Sequence, residues 1–331
     1  MNRVPVLKLS GEAKRQLKLL GGILVTAAAV YFFLQALKGL QISDVLEAGI
    51  NWPLSALSAA LFDLATLVRA LAFPFGIEKG MSVMEAWQVV AIGNAANMLL
   101  PFRAGEGVRL AVFPQHYSAA DRVRLSLITG MTDVAIILLL TFAAVSIAGF
   151  RNRTYMLFLR LAGYGFTAFC TLLLLLLFAV PKTRPHVLAY FNRGTLDMVL
   201  WTVLSWVVMV GSMWVAFLSF GYEPIRALAL TFGAYAGLNL VCLIPSSPGN
   251  LGVFEYAVVL GMAGLGVARV PAQTAGLLLH VIQYAGLLPL GGILYARFLW
   301  SRGREETRRP AKHAVGRAAY AGMASRAAYK K

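Results

Sequence analysis

Long apolar runs separated by short basic connections organise this chain. The runs cover about residues 19–37, 52–73, 83–100, 125–149, 155–180, 196–220, 227–244, 256–266 and 274–299. A hydrocarbon core of about 30 Å is crossed by roughly 20 helical residues, so most of these runs predict membrane-spanning helices. Two runs end differently, at proline- and glycine-rich breaks. Pro101-Phe-Arg-Ala-Gly105 follows the third run, and Pro245-Ser-Ser-Pro-Gly-Asn-Leu-Gly-Val-Phe-Glu255 follows the seventh. Proline removes a backbone donor and glycine admits dihedrals that other residues avoid. Within hydrocarbon such a break survives where protein buries it or water fills a cavity beside it. A broken helix that also carries a carboxylate, here Glu255, points to a transport site.

The two breaks share a Pro-x-x-x-Gly spacing, with Pro101 and Pro245 lying 144 residues apart. Both preceding runs carry amides, Asn94 and Asn97 in one and Asn239 in the other. Shifting the early spans by this offset brings them onto the late ones, as internal duplication requires.

Composition fixes the class. The 331 residues are 59% hydrophobic and 13% charged, with net charge +16, and mean hydropathy is +0.71. Soluble domains carry about 25% charged residues. The chain therefore reads as an all-α polytopic membrane protein. Its basic excess is topogenic, which makes nucleic acid an unexpected partner. Cys170 and Cys242 sit in apolar runs and are expected to be buried free thiols. The first run continues past Ala27-Ala28-Ala29 into Tyr31-Phe32-Phe33, so no cleaved signal peptide is expected.

Residues 1–18 form a basic head and residues 301–331 a basic, alanine-rich tail, both placed in the cytoplasm. Equal sidedness of the ends calls for an even number of crossings. Reading both breaks as re-entrant hairpins leaves six full spans, with repeat 1 over about 19–150 and repeat 2 over about 155–300. Each half crosses three times, so the second is inverted relative to the first. The first hairpin opens to the cytoplasm and the second outside. Residues 74–82 are expected to form a turn, and 41–50 an amphipathic connection. The rival arrangement makes both breaks true crossings, giving eight transmembrane helices.

Arg103, Glu106 and Arg109 are spaced three apart, which puts them along one side of a helix. Two guanidiniums at the mouth of a re-entrant loop suit a phosphate, with Glu106 holding them or binding a cationic headgroup. The same residues also fit a solvated cytoplasmic loop. Glu255, among Leu251, Val253, Phe254 and Val258, is costly to keep in a membrane unless it works there or lies at headgroup level. Asp133 fits an ion pair with an arginine or a part in proton transfer. Asp63 and Arg69, six apart, face different neighbours, and His280 and Gln283 read as interhelical hydrogen-bonding groups. The chain holds no Ser/His/Asp set, no metal-spaced His/Cys cluster and no phosphate-binding Gly-rich loop ending in Lys-Ser/Thr, so neither cofactor nor catalysis is expected.

Together, Asn97-Met-Leu-Leu-Pro-Phe-Arg-Ala-Gly-Glu106 with Arg109, and the stretch from Pro245 to Glu255, resemble the lysylphosphatidylglycerol synthase transmembrane family, a flippase-like membrane domain. The resemblance covers about residues 15–300. Asp133 also falls where that family often has an acidic residue. Thr129 and Gly130 stand where Glu-Arg is frequent before that Asp, and Phe254 stands where Arg is common. The ion partners of Asp133 and Glu255 therefore do not follow from the resemblance.

The resemblance implies movement of a polar-headgroup lipid between leaflets: an anionic phospholipid, an aminoacyl-phospholipid, a glycolipid or a polyprenyl-linked lipid. The translocation residues it suggests are Asn94, Asn97, Pro101, Arg103, Gly105, Glu106, Arg109, Asp133, Asn239, Pro245, Pro248, Gly249, Gly252 and Glu255. The chain ends soon after its last span, so the soluble lysine-transferring domain is expected to be absent. The expected setting is the plasma membrane of a prokaryote. Partners are membrane lipids, with anionic inner-leaflet lipid at the basic tail. A homo-oligomer and a lipid-modifying enzyme partner are compatible with the reading. The competing functions are a membrane-embedded transferase acting on a lipid-linked substrate and a non-transporting subunit of such an enzyme.

Overall fold

The computed structural model describes residues 49–100, 103–147, 153–179, 185, 192–241 and 248–328. The expected first span and residues 41–48 of the expected 41–50 connection lie outside the described residues, as do Pro101, Pro245 and Cys242. Nine α-helices occur among the described residues: α1 (Trp52–Ala70), α2 (Val83–Leu99), α3 (Gly105–Val112), α4 (Ala119–Ile147), α5 (Arg153–Phe178), α6 (Arg193–Ser219), α7 (Pro224–Val241), α8 (Val253–Ala263) and α9 (Arg269–Ala328).

Four described segments are long and apolar enough to cross a bilayer: Trp52–Ile77, Ala119–Ala143, Arg193–Ser219 and Arg269–Arg302. Their outer faces are apolar too. Leu64, Leu139, Phe142, Leu200 and Val207 are exposed, the arrangement of a protein whose solvent is hydrocarbon.

Local chemistry sets the helix limits. The Asn51 side chain accepts from Leu54 N and Pro53 occupies the first turn of α1, where a missing donor is harmless. Ser82 and Glu85 form a capping box at the start of α2. Leu100 turns extended, with φ −107° and ψ 141°, as a residue before proline must. Two expected boundaries move. The turn expected over 74–82 begins as a π-helical turn over Phe73–Ile77, in which Ile77 N reaches Ala72 O and Glu78 N reaches Phe73 O. Pro74, lacking an N–H, interrupts the normal ladder and the widened turn follows. In the tail, α9 continues to Ala328, because alanine and arginine are strong helix formers.

Antiparallel α1 and α6 form the central pair. Small side chains let them approach, and their hydroxyls bond across the seam. Ser55 Oγ meets Ser219 Oγ at 3.0 Å, and Ser58 and Ser212 each donate to the other's carbonyl at 2.8 Å. On either side of this pair stands a helical hairpin with its own core. The first, α2–α3, gathers Val89, Val90 and Val112 with Phe73, Phe113, Leu125 and Leu294. The second, α7–α8, gathers Leu230, Ala234, Val258 and Met262 with Phe217 and Leu279. α9 packs against both. Cys170, on α5, is a free thiol, half-buried rather than buried.

Candidate functional site

Each hairpin closes at glycines. A Cβ on Gly105 would overlap Asn97 N and Oδ1, and one on Gly93 would meet the Arg109 side chain at 2.9 Å. In the second hairpin a Cβ on Gly237 would overlap Ala257 O, and one on Gly261 would overlap Gly233 O. Gly93 and Gly237 are 144 residues apart, as are Gly105 and Gly249. The repeat spacing seen at the prolines therefore extends to the packing seams.

Behind the tip of the first hairpin lies a polar cluster. Arg109 Nη2 donates to Asn94 Oδ1 at 2.7 Å and Nη1 to Glu106 Oε2 at 2.8 Å, while Asn97 Nδ2 donates to Glu106 Oε1 at 3.1 Å. The Arg109 side chain is 15% exposed and that of Glu106 47%. Arg109 Nε and Asn97 Oδ1 are buried without a hydrogen-bond partner, which is costly for polar atoms unless a ligand or water completes them. Arg103 does not join the cluster. The three-residue spacing predicts one helical face for Arg103, Glu106 and Arg109, but Arg103 precedes α3 with φ 54° and is exposed. Its left-handed backbone turns the side chain off the helical register, so only Glu106 and Arg109 share that face.

The second hairpin is broken more sharply. Pro248–Asn250 form a single 3₁₀ turn, and Gly249, Asn250 and Gly252 all have positive φ, at 57°, 57° and 80°. Glu255 then opens α8. Its Oε2 accepts from Gly252 N at 2.7 Å, the end-of-helix cap that its position predicts. Its Oε1 lies 2.7 Å from His280 Nδ1, and His280 Nε2 lies 3.0 Å from Gly249 O. The pair is enclosed: the Glu255 and His280 side chains are 1% and 4% exposed. Phe254 stacks on the imidazole with ring centroids 4.3 Å apart.

The hairpin tips meet. Tyr284 of α9 donates to Met98 O at 3.2 Å. A Cβ on Gly249 would lie 2.7 Å from that same carbonyl and overlap the Tyr284 hydroxyl. Only glycine supplies both the space and the left-handed backbone here.

Asp133 is bound by α1, within electrostatic reach of Arg109. Arg69 holds it bidentately, Nε to Oδ1 at 3.0 Å and Nη2 to Oδ2 at 2.6 Å, and Trp206 Nε1 adds a 3.3 Å contact. Arg69 also donates to Thr129 O and Thr202 Oγ1. The cluster ties α1, α4 and α6 together. Asn239 reaches Thr141 Oγ1 on α4 at 3.4 Å. His280, read from sequence as a generic interhelical group, is the residue underestimated there. The available signal was an imidazole in the middle of an apolar span, in a chain whose buried carboxylate had no partner nearby in sequence.

A separate cavity of about 250 Å³ opens at the base of the first hairpin, lined by Glu85, Gln88, Phe113, His116, Phe298 and Arg302 among others. Among the described residues, no group of three His, Cys, Asp or Glu side chains is placed to hold a metal ion.

Apolar helices of spanning length and two packed, broken hairpins make this an integral membrane protein. Within that class the chain belongs to the family described as the lysylphosphatidylglycerol synthase TM region, whose model matches residues 19–291. No curated protein and no solved structure matches the chain.

Proposed function

We propose that this protein translocates a polar-headgroup lipid between leaflets, with the two hairpins re-entrant from opposite faces and the tails of the lipid remaining in hydrocarbon. The observation that carries this reading is the tip-to-tip junction at Met98, Gly249 and Tyr284 with a polar cluster behind each tip. A polar path through a membrane needs irregular backbone lined by protein, and half-helix ends aimed at its centre. The same proposal includes the six-span inverted repeat, with both termini in the cytoplasm of a prokaryotic cell.

Arg109, set by Asn94 and Glu106, presents a guanidinium edge to a headgroup phosphate, and Arg103 lies exposed beside it. The basic extension of α9 suits anionic inner-leaflet lipid. The protein performs no chemistry on the lipid, and a lipid-modifying enzyme is the kind of partner that would supply its substrate.

The test is reconstitution in liposomes containing headgroup-labelled anionic, aminoacyl and glycosylated lipids. Leaflet exchange above protein-free vesicles supports the proposal. Chemically altered lipid without exchange favours a membrane-embedded transferase instead.

A further inference from the structure

The hydrogen bonds around Glu255 and His280 fix the number of protons that the pair holds. Gly249 O is a carbonyl and can only accept, so His280 Nε2, 3.0 Å away, carries a hydrogen. Glu255 Oε2 already accepts from Gly252 N. The remaining contact, Nδ1 to Oε1 at 2.7 Å, also needs a hydrogen between its atoms. That hydrogen is on Nδ1, giving imidazolium and carboxylate, or on Oε1, giving imidazole and carboxylic acid. Either way the pair holds one proton more than a neutral imidazole beside a carboxylate, and its net charge is zero.

Removing that proton leaves no tolerable arrangement. With hydrogen kept on Nε2, the Nδ1 lone pair faces a carboxylate oxygen. With hydrogen moved to Nδ1, the Nε2 lone pair faces Gly249 O. Both leave a net negative charge in a site only 1–4% exposed, where unpaired charge is heavily penalised. In the second arrangement the strain falls on Gly249, which is also the residue seated against Met98 of the first hairpin.

We propose that Glu255 and His280 form a proton-binding site whose occupancy holds the two hairpin tips together, so that proton binding and release drive the lipid step. On release, the proton passes from the pair to water that reaches it as the tips part, and rebinding restores the neutral, fully bonded junction. The coupling rests on the translocation reading above, whereas the proton site rests on its own geometry.

Few other charges lie near the pair, and one is Asp63 of α1, which rests against Gly286 of α9, six residues from His280. Tyr284, with its ring 4.7 Å from the imidazole, is the titratable neighbour on α9, and its hydroxyl is engaged by Met98 O. The one charged residue of α7, Arg226, donates to Leu265 O at the far end of its hairpin. The one charged residue of α2, Glu85, caps Ser82. On α8 the only charged residue is Glu255. Across the tips, Glu106 is held by Arg109 and Asn97.

Two measurements on the full chain in lipid decide the matter. In the first, histidine is ¹⁵N-labelled, and the His280 signals are those lost in His280→Gln. In the closed state the ring is expected to carry hydrogen at Nε2 and to share a second proton between Nδ1 and Glu255, and loss of that proton is expected to accompany loss of the Gly249 contact. A bare Nε2, or a neutral ring beside an ionised Glu255 in the closed state, overturns the proton site.

In the second, liposomes with the membrane potential clamped receive a one-unit pH gradient, and labelled lipid and internal pH are followed together. One proton per electroneutral lipid sustains up to about tenfold accumulation per pH unit. Glu255→Gln, which keeps an acceptor for Gly252 N, and His280→Gln are expected to show no gradient-driven accumulation and no lipid-dependent pH change. Wild-type exchange indifferent to the gradient overturns the coupling. If wild-type protein moves no lipid, the translocation reading fails, and the labelled-histidine result still decides the proton site.

Discussion

Ser58 and Ser212, 154 residues apart in sequence, exchange hydrogen bonds: the hydroxyl of each donates to the other's backbone carbonyl at 2.8 Å. Two such bonds fix the register of α1 against α6 without bulky side chains, and Ser55 with Ser219 repeats the device nearby. Interhelical hydrogen bonds in membranes average about 0.6 kcal/mol, because the separated helices find other partners. Ser58→Ala and Ser212→Ala should therefore each cost about 0.6 kcal/mol. Ser58→Leu should cost several times more by forcing the helices apart. Denaturation of the purified protein in mixed micelles checks the ranking.

The Arg69–Asp133 pair makes a different prediction. Breaking a largely buried ion pair strands the partner's charge, at a cost of about 3 kcal/mol. Arg69→Ala should lower the unfolding temperature sharply. Asp133→Asn should do less damage, since an amide still accepts one guanidinium bond and the Trp206 contact. If Asp133 worked in translocation itself, Asp133→Asn would abolish lipid exchange in protein that melts near the wild-type temperature. The structure predicts that loss of activity tracks loss of stability.

Arg103 and Arg109 should separate. Arg103 pays for a left-handed backbone that glycine adopts freely, so Arg103→Gly is expected to hold or raise stability by up to about 1 kcal/mol. The same variant should weaken handling of anionic lipid about tenfold, as loss of one charge-assisted bond implies. Arg109→Ala should reduce both stability and exchange, because it also strands Asn94 and Glu106. Equal exchange by Arg103→Gly and wild type would show that Arg103 only sets topology.

The orientation of the hairpins can be read chemically. With Cys170 and Cys242 replaced by serine, single cysteines at Gln115 and Val267 should react with impermeant reagent from opposite sides of the membrane. Reaction of both from one side identifies eight crossings.

Gly249→Ala tests the tip junction. Its Cβ would overlap the Tyr284 hydroxyl and crowd Met98 O, an overpacking worth about 1–3 kcal/mol. Removing the obstructing hydroxyl by adding Tyr284→Phe should restore part of the stability, and a double-mutant cycle measures how much.

Much of this arrangement was legible before any coordinates. Helices α4, α5 and α6 start and stop within a few residues of their apolar runs, because hydropathy over some 20 residues reports directly on burial in hydrocarbon. Glu255 as a cap was legible too, since capping is local chemistry three residues deep. What escaped was long-range or conformational. No periodicity brings His280 to Glu255 across 25 residues. The left-handed turn at Arg103 broke a face that spacing alone predicts. The matched glycines, Gly93 with Gly237, passed unnoticed because close approach of two backbones leaves no trace in hydropathy.

Helix α9 is the element both hairpins lean on. Gly276 and His280 take the second hairpin at the Glu255 backbone and side chain, Gly286 rests on α1 beside Ala59 and Asp63, and Gly291 receives Ala95 of the first hairpin. Pro289 falls between the last two contacts. It has no hydrogen for the carbonyl of Ala285, so the helix is missing one rung at that point and bends there most cheaply. The spine is thus jointed. Tyr284, on the segment before Pro289, reaches Met98 of the first hairpin, so that segment touches both hairpins. The two hairpins thus share a spine whose weakest rung lies between their contacts, while Met98, Gly249 and Tyr284 still tie one tip to the other.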